Sequence, residues 1–173
     1  ASAILADMNA ALPPTTNARP FGIAAGDFDE DGRLDLVVSR VPDGRVYFVK
    51  GNGYGTFQAP VAMPWKQTAN QLFGLPAQDI NGDAHLDLVW GASTDHVAPN
   101  VLDGEVRVFY GNGDGTFVEN PYFVSGVRHN AGSLLADVGA DAASLAVGDV
   151  DGDDDPDVVA GSIDRLGHGL SLS

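Results

Sequence analysis

Short runs of apolar residues recur along this chain, separated by polar and glycine-rich stretches. The runs LDLVVS and LDLVWG begin at residues 34 and 86, and they are followed by RVYFVK and EVRVFYG respectively. They are rich in β-branched and aromatic residues, and none places apolar residues at the 3.6-residue spacing of a helix. The pattern therefore predicts an all-β chain of short strands.

An aspartate-rich segment of one design accompanies three of these runs. The segments read DFDEDGRLDLVV from Asp27, DINGDAHLDLVW from Asp79 and DVDGDDDPDVVA from Asp149. Acidic side chains recur at positions 1, 3, 5 and 9, and Asn81 replaces aspartate once. Such crowding of carboxylates is tolerated when a hard cation lies between them. One copy alone could be a solvated acidic turn, but three copies with the same spacing favour a repeated calcium-binding hairpin loop.

The segments differ from an EF-hand loop, which begins similarly but ends with a bidentate glutamate at position 12. Position 12 is occupied here by Val38, Trp90 and Ala160. The flanking runs are strand-like, whereas an EF-hand requires helices. The pattern therefore favours a calcium loop within a β-hairpin.

Composition supports acidic sites and excludes several other classes of protein. The net charge of −15 over 173 residues comes from 21 Asp and 3 Glu against 9 basic residues, and 13 of the Asp lie in the three loops. Three bound Ca²⁺ ions would bring the charge to about −9 and relieve self-repulsion. So few basic residues argue against nucleic-acid binding. The chain has no cysteine and no apolar run near the ~18 residues of a membrane span.

The expected location is extracellular, periplasmic or at the cell surface. Exposed, glycine-rich loops bind calcium weakly, and extracellular calcium is concentrated enough to fill weak sites. The chain begins at Ala1, which favours a processed or excised chain.

An internal repeat predicts the architecture. Phe21-Gly22 precedes the first acidic segment by the same distance as Phe73-Gly74 precedes the second, and the offset is 52 residues. GNGYGTF at 51–57 corresponds to GNGDGTF at 111–117. Each unit predicts four short antiparallel strands, which is typical of a β-propeller blade.

We therefore expect two full blades and part of a third. A propeller typically needs about 4–8 blades to close, so further blades from the same or other chains are expected to complete it. The expected division is an N-terminal segment that could be the outer strand of a preceding blade, blade one, blade two, an insertion and a partial blade three, at residues 1–20, 21–63, 64–119, 120–144 and 145–173.

The FG…D-x-D-x-D-G-x-x-D-L-V pattern, with GNGDGTF downstream, resembles the FG-GAP or VCBS repeats of integrin α-subunit propellers and their bacterial relatives. The resemblance covers most of residues 21–173 and implies calcium-binding blades. Position 6 of the loop, usually glycine in this family, is Gly32 in the first copy but Ala84 and Asp154 in the others. If that position needs a positive φ, alanine is the costlier substitution. The first loop is therefore expected to bind best and the second worst.

The resemblance also implies ligand roles. Side chains at positions 1, 3, 5 and 9 and the carbonyl at position 7 would bind up to three Ca²⁺ ions. In chain order these residues are Asp27, Asp29, Asp31, Arg33 and Asp35; Asp79, Asn81, Asp83, His85 and Asp87; Asp149, Asp151, Asp153, Asp155 and Asp157.

The functional expectation is a non-catalytic module for binding, adhesion or scaffolding, since the sequence shows no catalytic fingerprint. The alternatives are an accessory or catalytic part of a secreted polysaccharide-degrading enzyme, or a subunit of a larger extracytoplasmic assembly. A protein or carbohydrate partner would meet the face opposite the calcium loops. The aromatic and polar candidates there are Trp65, His96, Tyr122, Arg128 and His129. For each residue taken alone a structural role is the favoured interpretation, with Trp65 and Tyr122 packed between blades.

Overall fold

The structure, a computed structural model, describes residues 19–41, 44–66, 71–94, 103–126, 142–162 and 171–172. Within these ranges every regular element is a β-strand and none is a helix. The prediction of an all-β chain is therefore confirmed for the part of the chain that is described.

The first sheet is an antiparallel meander of four strands. They are β1 (Arg19–Gly26), β2 (Asp35–Val41), β3 (Arg45–Val49) and β6 (Val61–Lys66), in the order β1-β2-β3-β6. A two-stranded ribbon lies between its third and fourth strands and contains GNGYGTF; its strands are β4 (Gly51–Gly53) and β5 (Thr56–Phe57). The fourth strand ends three residues beyond the expected blade boundary at residue 63.

The second sheet repeats this plan, with its first strand divided in two. Both β7 (Gln71–Phe73) and β8 (Ala77–Gln78) pair with β9 (Asp87–Thr94), and β10 (Asp103–Gly111) and β11 (Phe117–Gly126) complete the sheet. The last strand extends past the expected boundary at residue 119, because 117–126 stay paired with β10 across a register shift.

The third sheet consists of three strands. They are β12 (Ala142–Gly148), β13 (Asp157–Ser162) and β14 (Ser171–Leu172), in antiparallel order. Two units of four strands followed by part of a third match the predicted arrangement of blades. Of the expected insertion at 120–144, residues 127–141 lie outside the described ranges.

The first and second sheets stack face to face, and so do the second and third. Val37 and Val46 of the first sheet share a core with Leu88, Trp90 and Phe109 of the second. The opposite face of the second sheet packs on the third through a separate cluster, whose members are Val89, Val106, Val108, Leu145, Val147 and Val158. Alternation along each strand produces these two faces, because successive side chains point to opposite sides of a sheet. The blades therefore follow one another in chain order.

Candidate metal centre

The three acidic segments form equivalent connections in the three sheets. Residues 27–35, 79–87 and 149–157, called loop one, loop two and loop three, each join the first strand of a sheet to the second. Because the sheets stack in order, the repeat places chemically similar loops at the same edge of successive sheets. This is the hairpin position that the sequence predicted.

The aspartate at position 1 organises each loop by accepting hydrogen bonds from the backbone. In all three loops it accepts one from the amide at position 6: Gly32 N to Asp27 at 2.9 Å, Ala84 N to Asp79 at 2.8 Å and Asp154 N to Asp149 at 3.2 Å. A carboxylate held this way closes the loop upon itself. Part of each loop's shape therefore comes from its own polar groups.

Position 6 has a left-handed backbone in every loop, as anticipated from the sequence. The φ values are 82° at Gly32, 70° at Ala84 and 69° at Asp154. A residue with a Cβ is strained in this region, and aspartate tolerates it better than alanine does. Position 4 is also left-handed, with Glu30 at 57° in loop one and glycine in the other two loops. The glycines at 82 and 152 are the sequence signal of this second requirement.

The aspartate at position 9 links each loop to the rest of its sheet. Asp35 accepts hydrogen bonds from Phe28 N at 3.2 Å and from Gly51 N at 2.7 Å. Asp87 makes the equivalent pair of contacts with Ile80 N and Gly111 N, both at 2.8 Å. Loop three retains the first of these contacts, because Asp157 accepts from Val150 N at 2.9 Å. In the first two sheets a single carboxylate thus connects loop position 2 to a glycine at or just beyond the end of the third strand.

Asp35 and Asp87 are both fully buried. Burial raises the pKa of each carboxyl group, and the backbone hydrogen bonds offset only part of this effect. A buried carboxylate is stabilised by opposite charge, so a cation in the loop would lower the free energy of the ionised form.

The carboxylates converge closely enough to share an ion in two of the loops. One oxygen from each of Asp27, Asp29 and Asp35 lies within 4.8 Å of the others, and the same holds for Asp149, Asp151 and Asp153. In loop two, Asn81 instead donates its side-chain amide to Asp83 at 2.9 Å. These oxygen-only donor sets fit a hard cation such as Ca²⁺.

One oxygen of the Asp29 carboxylate is the most specific sign of a cation site in loop one. Its side chain is only 9% exposed, and its Oδ1 atom is buried without a hydrogen-bond partner. An unpaired buried oxygen on a carboxylate is costly and calls for an explanation. A cation bound between Asp27, Asp29 and Asp35 would supply the partner.

Loop one also holds a cation of its own, which the sequence analysis missed. The Lys50 ammonium contacts Asp29 and lies 2.8 Å from Asp31 Oδ2. These two carboxylates raise the pKa of Lys50, and the hydrogen bond from Lys50 is the main reason that the pKa of Asp31 is lowered. Arg33 approaches Asp31 from a more exposed position at 3.2 Å. The available signal was the lysine directly before GNG in the first copy, where the second copy has Tyr110.

Loops one and two contact each other. Glu30 Oε1 lies 2.5 Å from His85 Nδ1, and this hydrogen bond is the main reason that the pKa of His85 is raised. Gly115 of the second glycine-rich turn donates to the Phe28 carbonyl at 2.9 Å. Loop one and the second blade therefore form a continuous surface at this edge. The carbonyl roles predicted for Arg33, His85 and Asp155 stay predictions.

Of the five residues expected at the partner-binding face, the structure describes the side chain of Trp65 alone. Trp65 packs in the core between the first two sheets, with ring centroids 4.3 Å from Phe109 and 6.0 Å from Trp90. It also borders a small pocket of about 190 Å³ with Arg45, Met63 and Pro64. Tyr122 lies in β11, with its side chain outside what is described, and the remaining candidates, His96, Arg128 and His129, lie outside the described residues.

Within the described ranges, no helix has the length and apolar character to cross a membrane.

Comparison with known proteins assigns the repeats. The sequence model of the FG-GAP-like repeat family matches residues 27–90 and 79–160. The chain is also 27% identical over 161 residues to human phosphatidylinositol-glycan-specific phospholipase D, in a match that covers 82% of this chain and 18% of that protein. The chain thus spans less than a fifth of this relative. The two repeat matches begin on the acidic loops and extend through the blades described above, and together they cover most of the sequence. The chain belongs to the FG-GAP-like repeat family.

Proposed function

We propose that this chain is a calcium-stabilised, non-catalytic β-propeller module that acts outside the cytoplasm in binding, adhesion or scaffolding. The observation that carries the proposal is the recurrence of one carboxylate-lined hairpin at the same place in three successive sheets. The buried, unpartnered Asp29 Oδ1 supports a cation at this place in loop one.

Calcium is the cation that these donors suit best. Carboxylate, amide and backbone carbonyl oxygens are the ligands it prefers, and its flexible coordination tolerates differences between loops. Zinc sites in proteins generally use cysteine or histidine, whereas loop positions 1, 3, 5 and 9 offer only carboxylates and the amide of Asn81. A bound Ca²⁺ would also offset part of the −15 net charge.

The module would use calcium to fix the edges of its blades. Asp35 and Asp87 join the loops to the glycine-rich turns through backbone hydrogen bonds. A cation that immobilises the loop therefore also supports the end of the third strand. A rigid edge of this kind could present partner-binding loops with little loss of entropy on binding.

The test is thermal unfolding of the purified chain in millimolar calcium and in chelator. At a hundredfold excess over Kd, each site should add about 2.7 kcal/mol to the stability of the folded state. For a chain of this size, that corresponds to a rise in Tm of roughly 5–10 °C per site.

The matched variant is Asp153→Ala, which removes an exposed carboxylate from the convergent group in loop three. It should reduce the calcium-dependent rise while leaving the Tm in chelator nearly unchanged. Magnesium at the same concentration controls for ionic strength. Equal Tm values in calcium and chelator for the wild-type chain would reject the calcium proposal.

We also propose that a preceding blade of the same kind packs on the first sheet. Ile23, Leu75 and Leu145 each lie four residues before the first aspartate of their loops. The Cβ of Leu75 lies 3.5 Å from where a Cβ on Gly22 would be, and that of Leu145 lies 3.1 Å from the same point on Gly74. Each thus contacts a glycine of the blade before it, whereas Ile23 is 60% exposed and Leu75 only 5%.

The solution mass of the chain shows where such a blade comes from. A mass that is a multiple of 17.9 kDa, and that falls to one chain in Ile23→Asp, would assign the packing to a second copy. A monomeric wild-type chain would assign it to a blade of a longer protein. If the chain is monomeric, Ile23→Asp should leave its Tm unchanged, because Ile23 is exposed. A large loss of stability in the monomer would mean that Ile23 packs within the chain itself, and would contradict the proposed contact with a further blade.

A second candidate function is a non-catalytic or catalytic part of a secreted enzyme. The specific observation in its favour is the similarity to a protein named as a phospholipase D, of which this chain spans 18%. The chain would then accompany a catalytic region rather than act alone. Hydrolysis of phosphatidylinositol-glycan by the purified chain would favour a catalytic role and overturn the non-catalytic proposal.

A further inference from the structure

The Lys50 ammonium lies against two of the carboxylates that are expected to bind a metal ion in loop one. It contacts Asp29 at loop position 3 and lies 2.8 Å from Asp31 Oδ2 at position 5. Lys50 directly precedes Gly51, whose amide is bound by Asp35 at 2.7 Å. The carboxylate at position 9 thus holds the backbone beside Lys50 next to the loop. From there the lysine side chain extends to Asp29 and Asp31.

Loop two differs at the position equivalent to Lys50. Tyr110 stands at the equivalent position before the second glycine-rich turn, and its hydroxyl accepts a hydrogen bond from Asn120 at 2.8 Å, within its own sheet. In loop three the carboxylates at positions 1, 3 and 5 converge. In loop one the convergent group comprises positions 1, 3 and 9, and the carboxylate at position 5 pairs with Lys50 and Arg33.

We propose that Lys50 is a tethered counter-cation of loop one, which neutralises Asp29 and Asp31 in the absence of calcium and competes with calcium for them. The inference rests on the proposed calcium function. It reverses the expected ranking of the loops, because the loop with the most regular sequence carries a built-in competitor. Loop one would stay ordered at low calcium concentration. Its site would bind calcium only at a higher calcium concentration than the same carboxylates would need without Lys50.

Elementary electrostatics gives the direction of the effect. An ammonium and a Ca²⁺ ion cannot both lie against the same carboxylates without strong repulsion, so Lys50 must move aside when calcium binds. The Lys50 side chain is 31% exposed, so it has direct access to solvent for this movement. The ammonium would then lose two charge-assisted contacts, and this loss subtracts from the affinity of loop one for calcium.

The experiment is a calcium titration of the full chain followed by ¹⁵N–¹H NMR. Gly32, Gly82 and Gly152 lie one in each loop, all with positive φ, so their amides report each loop separately. In Lys50→Met, the calcium concentration at the midpoint of the Gly32 titration should fall about tenfold. This is the effect expected for removal of a unit charge a few ångströms from a divalent ion. The midpoints reported by Gly82 and Gly152 should not change.

Two further variants separate the local contact from general charge effects. Lys50→Arg keeps the charge and should leave the Gly32 midpoint near that of the wild type. Arg107→Met removes a positive charge from a side chain of equal exposure, 31%, that pairs with Glu119 at 2.7 Å. It should also leave the Gly32 midpoint unchanged.

The Tm provides a second measurement. Lys50→Met should unfold at a lower temperature than the wild type in chelator, because Asp29 and Asp31 lose their counter-ion, and it should regain the difference in calcium. An unchanged or higher Gly32 midpoint in Lys50→Met, with Gly82 and Gly152 still responding, would overturn the role of Lys50 alone. If none of the three glycines responds in the wild-type chain, the calcium function itself fails.

Discussion

Gly111→Ala is expected to destabilise the protein by roughly 3 kcal/mol or more. A Cβ on Gly111 would lie 2.3 Å from the carbonyl oxygen of Leu86, which is backbone and cannot move aside by changing rotamer. The same backbone segment donates the Gly111 amide to the buried Asp87. Relief of the clash would therefore stretch that hydrogen bond and disturb the end of the third strand. Urea unfolding in chelator would measure the loss without a contribution from calcium.

Two other glycine variants give a graded control. Gly148→Ala adds a Cβ with no heavy atom within 4 Å and no positive φ, so its effect should stay within about 1 kcal/mol. Gly26→Ala would place a Cβ 2.5 Å from the end of the Leu86 side chain, which can move, and should have an intermediate effect. A Gly111→Ala protein as stable as Gly148→Ala would contradict the close approach of the two backbone segments.

This close approach shows what a sequence repeat can and cannot predict. Glycine-rich segments such as GNG are typical of hairpin turns, and residues 51–57 form one in the ribbon of β4 and β5. The reason for the first glycine is tertiary, because a Cβ on Gly51 would lie 2.0 Å from the Leu34 carbonyl. That contact joins residues far apart in sequence, and no local propensity encodes it.

The fold was largely predictable because its signals are local. Alternating apolar runs defined the strands, and the 52-residue offset defined the unit of four strands. The glycine of the family pattern raised the question of a positive φ at position 6, and the structure has one in all three loops. Exact strand ends were less predictable, since β6 and β11 extend beyond the expected boundaries wherever pairing with the neighbouring strand continues.

The candidate site was predictable in its composition but not in its electrostatics. Spacing alone identified the carboxylates, and they do lie together in loops one and three. The pairing of Lys50 with Asp29 depends on the third strand returning beside the first loop, 21 residues later. The Glu30–His85 contact depends on how two blades stack. Such contacts follow from the arrangement of the sheets and require a structure to be seen.

Asp87→Ala should be the most damaging single change among the aspartates of loop two, even without calcium. It would remove the acceptor of two backbone amides, Ile80 N and Gly111 N, at a site that is fully buried. Each orphaned amide costs about 1–3 kcal/mol. Burial raises the pKa of Asp87, so removing the carboxylate also relieves some cost of burying charge. The net loss at pH 7 should therefore be about 2–3 kcal/mol, measured by urea unfolding in chelator.

Asp83→Ala and Asp87→Asn make this prediction specific. Asp83 belongs to the same loop but is exposed, so its replacement by alanine should cost less than about 1 kcal/mol in chelator and act mainly by weakening calcium binding. Asp87→Asn keeps one acceptor oxygen and presents an amide donor to the other backbone N–H, so it should retain only part of the stability. If Asp87→Ala and Asp83→Ala lose equal stability in chelator, position 9 serves only as a metal ligand. A larger loss for Asp87→Ala would mean that this carboxylate maintains the blade as well as the loop, and that the acidic repeat is structural before any ion binds.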